Sequence, residues 1–401
     1  MEIVLLINHF QPKIGYQEYF LAKYWQKMGH SVTVVTSNYY FPFPNYNQTV
    51  KPILGQRKRP LGKRRERGIS TIRLKSAFQL PGGFTAWLSD LQPTLMKLEP
   101  DVVFANGVFQ PLALQIALLK KKLGFQLIYD SHASSFNTDL QASFLKKTYM
   151  KIFKVIAVPF IKSSANDFTA VGESEKQTML TELGLPPKKV KLIHLGADTD
   201  VFYPDQKSRQ LVRQKLGVTN DQVLFVHAGK ITENKDLHIL IPAFAEVSRS
   251  KPELKMLIIG SGPTKYIKLL KKLAKNNDCD RAITWLPPLP HHQLAKHYRA
   301  ADIGVWPGDL SNTIQECMAC ATSVVIARKI SESQDTSHLS TSRGVFTYQR
   351  YSIISLSKTL SKLVLPKTKL KYLGAEAQKI IDRGFSWQQI AKHHLSLVQD
   401  E

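Results

Sequence analysis

Two lysines and a glycine stand where a buried strand ends. The apolar run 223–227 is followed by Ala228-Gly-Lys-Ile-Thr-Glu-Asn-Lys235. Gly229 has no side chain to keep a ligand off the backbone, and Lys230 and Lys235 set two ammonium groups at the mouth of the next helix. Cations beside unpaired helix amides suit a diphosphate. A second strand, 303–306, runs into Pro307-Gly-Asp-Leu-Ser-Asn-Thr-Ile-Gln-Glu316. There Asn312 and Thr313 open a helix whose first amides lack helical partners. Glu316 lies about one turn further on, where a carboxylate can accept from both hydroxyls of a ribose. The bland alternatives are two solvated lysines in a basic chain and a surface glutamate paired with a lysine. Position at strand ends is what favours a site. Gly260-Ser-Gly-Pro263 also follows a strand, but a tight turn alone asks for the same residues. Earlier in the chain, Asp130-Ser-His132 closes a strand and Gly15 precedes the first helix. A strand-end histidine can act as acid, base or hydrogen-bond donor to a sugar. His9 is a weaker candidate of that kind, and the doublets His291-His292 and His393-His394 read as surface.

The elements that must position these groups alternate. Apolar runs at 3–7, 31–36, 101–105, 127–130 and 168–171 read as strands separated by helical stretches, one of which, 16–28, stops at Gly29. The rhythm restarts at 223–227, 255–259, 282–285, 303–306 and 323–327, with helices at 237–247, 265–275, 293–299 and 312–320. Continuous apolar strands with helices between them imply an α/β chain with parallel sheets covered on both faces. The segment 193–204, almost at the midpoint, reads as a hinge between two lobes, and a ligand is expected between them. A last helix from Trp387, with Ser386 as cap, closes the chain.

Composition narrows the partners. The 401 residues carry 55 Lys and Arg against 31 Asp and Glu, a formal net charge of +24, so an anionic partner is expected. Seven of the cations, Arg57, Lys58, Arg59, Lys63, Arg64, Arg65 and Arg67, fall in one Pro- and Gly-punctuated segment that reads as a loop. It suits anionic lipid headgroups as well as plain solvent. Nucleic acid is disfavoured, since no zinc-finger, helix-turn-helix or aromatic-basic pattern accompanies the charge. Three cysteines make no disulfide framework, and Cys317 and Cys320 sit in a helical run as small core residues rather than metal ligands. The first residues show no basic leader, and no stretch approaches the ~20 apolar residues of a membrane span. A cytoplasmic protein is expected, peripheral on the inner face of the plasma membrane if the basic segment meets lipid.

The order and spacing of these pieces resemble glycosyltransferase family 4. The similarity rests on Pro12-Lys-Ile-Gly15 with Gly29-His-Ser-Val-Thr-Val-Val-Thr36, Leu195-Gly-Ala-Asp198 through Pro204, Gly229-Lys230 with Lys235, Gly260-Ser-Gly262, Ala301-Asp302, Glu316-Cys-Met-Ala319 and Phe385-Ser-Trp387. The resemblance implies a GT-B fold: a Rossmann-like acceptor domain over 1–197, a Rossmann-like donor domain over 198–380, and a crossover helix over 381–401 that packs back on the first domain. It implies a retaining, metal-independent transferase with no cofactor. Such an enzyme takes a sugar from a nucleotide-diphosphate donor to an acceptor hydroxyl; the basic segment 57–67 and the aromatic-rich Tyr39-Tyr-Phe-Pro-Phe-Pro44 point to a lipid-linked saccharide or glycolipid of bacterial surface polysaccharide assembly. His132, Lys235, Glu316 and Asp309 would carry the chemistry, and Gly15, Gly229, Lys230, Gly260, Ser311, Asn312 and Thr313 would join in holding the donor. Three departures stand out. Lys230 replaces the usual arginine and loses its bidentate fork. Counting back to the first glutamate of the family's acidic pair reaches Gly308, with Asp309 one place off, and Ala321 stands for a common glycine. Two alternatives follow: a nucleotide-sugar epimerase of the same fold, and a degenerate subunit that binds nucleotide-sugar without catalysis.

Overall fold

A computed structural model describes residues 1–43, 46–79, 86–133, 144–309, 311–328 and 337–398. The chain forms two compact units, Met1–His194 with Ile390–Glu401, and Leu195–Gln389. In the first, ten strands are described: β1 (Glu2–Ile7), β2 (Ser31–Ser37), β3 (Gly62–Glu66), β4 (Ile69–Leu74), β5 (Ser76–Gln79), β6 (Ala86–Leu88), β7 (Val102–Asn106), β8 (Gln126–Ser131), β9 (Asp167–Ala170) and β10 (Val190–Leu192). Eight of them make one sheet in the order β10-β9-β8-β7-β1-β2-β4-β3, parallel except for β3 against β4, while β5 and β6 form a separate ribbon. Ile3, Val4, Leu5 and Leu6 are buried without alternation, as expected of a strand covered on both faces. The helix Gln17–Lys27 lays Phe20, Leu21, Tyr24 and Trp25 inward and gives way to Gly29 at φ +88°.

The second unit holds β11 (Leu224–Lys230), β12 (Lys255–Ser261), β13 (Ile283–Leu286), β14 (Ile303–Trp306), β15 (Ser323–Ala327) and β16 (Val345–Tyr348). Their order is β13-β12-β11-β14-β15-β16, all parallel. Renumbered within the unit this is 3-2-1-4-5-6, the doubly wound order whose crevice opens where β11 and β14 lie side by side. Asp302 anchors the opposite end of β14. Its buried carboxylate takes Arg213, Lys367 and the Leu224 amide, a role in stability rather than chemistry.

Three expectations need correction. The basic segment is not a loop throughout: residues 62–66 are the edge strand of the first sheet, with Lys63 and Arg65 exposed. Charged side chains on an edge strand deter pairing with another sheet. Arg57 donates to Tyr40 O, Arg64 to Leu61 O and Arg67 to Pro12 O, while Arg59 stacks on Tyr40. The chain is also not a free hinge beyond residue 194. Ala197 and Phe202 are fully buried, and Arg299 donates to the carbonyls of Val201 and Tyr203. Finally, residues 381–389 stay with the second unit. The Ala197 amide donates to Phe385 O at 2.8 Å, and the Trp387 amide donates to Ala197 O at 3.0 Å. The last helix, Trp387–Leu395, is capped by Ser386 and enters the first unit at Ile390, where Trp25 donates its indole N–H to Ala391 O. In the aromatic segment 39–44, Pro44 lies outside the described residues.

Candidate functional site

At the switch point of the second sheet, β11 ends in Ala228-Gly229-Lys230 and the chain turns through a short 3-10 turn, Glu233–Lys235, into the helix Leu237–Ser250. Lys230 is exposed and has no ion-pair partner among the described residues. Lys235 donates to Asp309 O at 2.7 Å and is half-buried. Burial lowers the affinity of Lys235 for its proton, the charges of Lys230 and Arg350 add to that, and Asp309 and Asp236 oppose it. Three cations, Lys230, Lys235 and Arg350, and two carboxylates, Asp236 and Asp309, therefore meet at this turn, with the exposed Lys230 open to an anionic ligand. Gly229 has φ +148°, and a Cβ added there would meet nothing within 4 Å, so the backbone is open to approach.

Across the switch point, Thr313 opens the helix Thr313–Ala319. Its Oγ1 lies 3.0 Å from Ala228 O and 2.8 Å from Ser311 Oγ, and Trp306 Nε1 donates to Ala228 O at 3.0 Å. These contacts seat the first turn of the helix on the end of β11, with Ser311 and Asn312 at its start. Glu316 is three residues after Thr313 and so on the same side. Its Oε2 is buried with no hydrogen-bond partner. Burial pushes the carboxyl up to about 8, and the neighbouring charge of Asp198 adds to the rise. An unpaired buried acceptor at a strand switch point is the strongest single mark of a site in this unit. On β11 itself, His227 donates through Nδ1 to Val305 O at 2.8 Å, and burial lowers it to about 4, which keeps the ring neutral.

The departures from the family pattern have a geometric counterpart. A Cβ on Gly308 would stand 2.3 Å from Asn234 O and 2.5 Å from Lys235 C, so the turn admits only glycine there. The Asp309 carboxylate pairs with Arg350 at 3.0 Å and accepts from Asn234 at 2.7 Å. It braces the turn that carries Lys235, and both its oxygens are engaged. Gly260 and Gly262 are likewise packing glycines: their Cβ atoms would fall within 2 Å of Gly229 O and Ile231 O. They let β12 end directly beneath the lysine turn. Cys317 and Cys320 are buried, burial pushes the Cys320 thiol up to about 12, and no metal-holding cluster occurs among the described residues.

In the first unit, residues from five places converge near the ends of β7, β8 and β9. His132 Nε2 lies 3.1 Å from Asp130 Oδ2, and about a third of its side chain is exposed. Thr169 Oγ1 donates to Asp130 Oδ1 at 2.6 Å, and Asn106 and Gln17 amides reach Oδ2 at 3.4 Å. Burial alone would raise Asp130, but the hydrogen bond and charge of His132, with His394 and Thr169, hold it below the ordinary carboxylate value. Burial alone would lower His132, yet Asp130, Glu18 and Glu175 together raise it. The pair is an imidazole ring oriented by a fixed carboxylate. Gly15, at φ +75°, turns the chain into the helix that carries Gln17 and Glu18.

Two residues here escape a reading from sequence. Glu18 is buried in the first helical turn, and burial raises it to about 7, with its own backbone amide and His132 pulling it down and Asp130 pushing it up. Its signal was a charge on the face shared by Leu21, Ala22 and Trp25. His394, expected at the surface, is buried: Nδ1 lies 2.9 Å from Ile390 O, and the ring sits edge-on to Trp25 and Phe104. The helix turns inward at this point, so one histidine of the doublet is core. His9 is also structural, with Nδ1 3.1 Å from Tyr39 O and Phe41 edge-on to its ring.

Comparison with known proteins places this arrangement. The family model for glycosyl transferases group 1 matches residues 208–380, and that for glycosyltransferase family 4 matches residues 19–201. A D-inositol 3-phosphate glycosyltransferase of Kineococcus radiotolerans is 30% identical over 185 residues, which are 43% of this chain and 42% of that protein. The chain thus spans less than half the length of that relative. A glycosyltransferase of Rickettsia africae superposes with a TM-score of 0.71 at 14% identity, over 99% of this chain and 97% of the other. Anabaena Alr3699/HepE in complex with UDP superposes with a TM-score of 0.69 at 17% identity, over 99% of each. At those identities the likeness is one of fold. With one family model on each unit, the chain belongs to the group 1 and family 4 glycosyltransferases of GT-B fold.

Proposed function

We propose that the chain is a retaining glycosyltransferase whose second unit binds a nucleotide-diphosphate sugar. The observation that carries this reading is Glu316: a buried carboxylate oxygen without a partner, in a helix whose first residue, Thr313, is seated on the strand end that carries Gly229 and Lys230. Glu316 accepts from the ribose hydroxyls. Lys230 and Lys235, with the backbone at Gly229, Ser311, Asn312 and Thr313, hold the diphosphate. The leaving diphosphate takes the acceptor proton on the same face, and the lysines stabilise its growing charge without a metal. In the first unit, His132, oriented by Asp130, and Gly15 are the groups assigned to the sugar. Asp309 acts by positioning Lys235. UDP as the nucleotide is supported by the Anabaena protein's complex. The acceptor is a lipid-linked saccharide, in keeping with a chain of +24 formal charge.

A second reading is favoured by Gly308 and Asp309: with no carboxylate free at the first acidic position, the chain is a binding subunit without turnover. A thermal-shift panel of nucleotide-sugars tests the site, since Lys235→Ala and Glu316→Ala should each remove the shift. A shift that survives both places the donor elsewhere. Nucleotide binding with neither transfer nor slow donor hydrolysis selects the second reading.

A further inference from the structure

The helix Phe144–Ile156 in the first unit, FLKKTYMKIFKVI, is apolar on two sides. Its inner side is accounted for. Met150 and Phe153 are buried in the core of the unit, and Tyr149 donates its hydroxyl to Phe109 O at 3.0 Å. The outer side is not. Phe144 is 82% exposed, Leu145 and Val155 77%, and Ile152 and Ile156 54%. Leu145, Ile152 and Ile156 are about two and three turns apart and so form one row, with Phe144 and Val155 beside it. Five large apolar side chains in one contiguous strip are far from the scattered single residues of an ordinary surface.

Charge identifies what covers the strip. Residues 144–162 contain five lysines and no aspartate or glutamate. Lys154 pairs with Glu182 on a neighbouring helix. Lys147 and Lys151 are exposed, flank the apolar row, and have no ion-pair partner among the described residues. Lysine is depleted at protein–protein interfaces, whereas an apolar strip edged by lysine is the composition of a helix lying in the boundary of an anionic bilayer. The edge-strand segment 57–67, by contrast, has no exposed apolar row and spends four of its cations on contacts within the chain.

We infer that the outer face of the helix Phe144–Ile156 docks the protein on an anionic membrane surface, Phe144, Leu145, Ile152, Val155 and Ile156 entering the acyl boundary while Lys147 and Lys151 meet headgroup phosphates. This deepens the lipid-acceptor reading and rests on it only for its purpose. Vesicle binding needs no donor and donor binding needs no vesicle, so the two can fail separately.

The test is co-sedimentation of the full chain with vesicles of equal phosphatidylcholine and phosphatidylglycerol at low salt, against pure phosphatidylcholine. Binding to the anionic vesicles is expected. Phe144→Ser with Leu145→Ser should weaken it at least about tenfold. Lys147→Gln with Lys151→Gln should weaken it roughly 25-fold, about fivefold for each lysine. Lys58→Gln with Lys63→Gln and Arg65→Gln should change it by less than about fivefold. All seven positions are exposed, so melting temperatures should hold. The three native cysteines are buried, so Leu145→Cys takes a polarity-sensitive dye selectively, and its emission should shift to the blue on anionic vesicles. No binding by the wild type, or binding lost only with the changes at 58, 63 and 65, overturns the inference. So does a wild-type dimer that ignores vesicles and becomes a monomer with Phe144→Ser and Leu145→Ser, since the strip would then cover a second copy.

Discussion

Replacing Glu316 by glutamine should make the second unit more stable in alkaline solution while weakening donor binding. The Glu316 carboxyl stands at about 8 in the fold against an ordinary 4.5, because it is buried beside Asp198 and has an oxygen without a partner. An acid whose folded value is raised contributes stability that is complete below 4.5 and drains away as pH rises toward 8. The slope is about 1.4 kcal/mol per pH unit, so the loss by pH 8 is on the order of 4 kcal/mol as an upper bound. Glutamine does not ionise and escapes it. In calorimetric scans from pH 4.5 to 8.5 at constant ionic strength, the two proteins should keep a fixed offset at the acid end. They should then diverge by several degrees, the variant melting higher at pH 8. In titrations with the donor the variant should bind about 10- to 100-fold more weakly, as one hydrogen bond to a charged acceptor is lost. Parallel melting curves across the whole range would show an ordinary, solvated carboxyl and refute the reasoning.

The same shift predicts proton release: at pH 7 about 0.9 of a proton should leave on donor binding if ribose hydroxyls stabilise the carboxylate, seen as a dependence of the binding enthalpy on buffer ionisation. His132→Ala should lower kcat by about 10²-fold or more with donor affinity within a few-fold, because Asp130 keeps its Thr169, Asn106 and Gln17 donors. It should also flatten the alkaline side of the stability profile. A histidine with a raised value stabilises below about 6.5, and that contribution is lost as pH climbs through its folded value. Gly308→Ala should cost about 1–3 kcal/mol in chemical denaturation and weaken donor binding as well, since the added methyl must displace the Asn234–Lys235 backbone.

Much of this was legible beforehand because strands buried on both faces write themselves as unbroken apolar runs, and because glycines and lysines after such runs mark turns at a sheet's carboxyl edge. Lys230 and Lys235 came from that rule, Thr313 and Glu316 from the helix start that follows the next strand over, and all four lie on the elements that meet at the switch point of the second sheet. What failed needed information from distant residues. Gly260 read as a ligand-facing glycine, yet what constrains it is Gly229 O on the adjacent strand. Asp309 read as a replacement acid, but Arg350, 41 positions later, takes its carboxylate. The short strand 190–192 and the edge strand 62–66 lack the apolar signature, the one for its brevity and the other for its charge. Glu18 and His394 look like polar residues on helices, and only the meeting of both helices in one unit buries them.

That meeting has a consequence for biosynthesis. The first unit is discontinuous: residues 195–389 are translated between its sheet and its closing helix. Until residues 391–394 leave the ribosome, the Trp25 indole, stacked on Phe104 at 4.6 Å, lacks both its Ala391 carbonyl acceptor and its edge contact with His394. The nascent sheet therefore carries an exposed aromatic seam while the second unit is being made. Closure of that seam thus waits on residues 390–394, a delay built into the order in which the polypeptide is written.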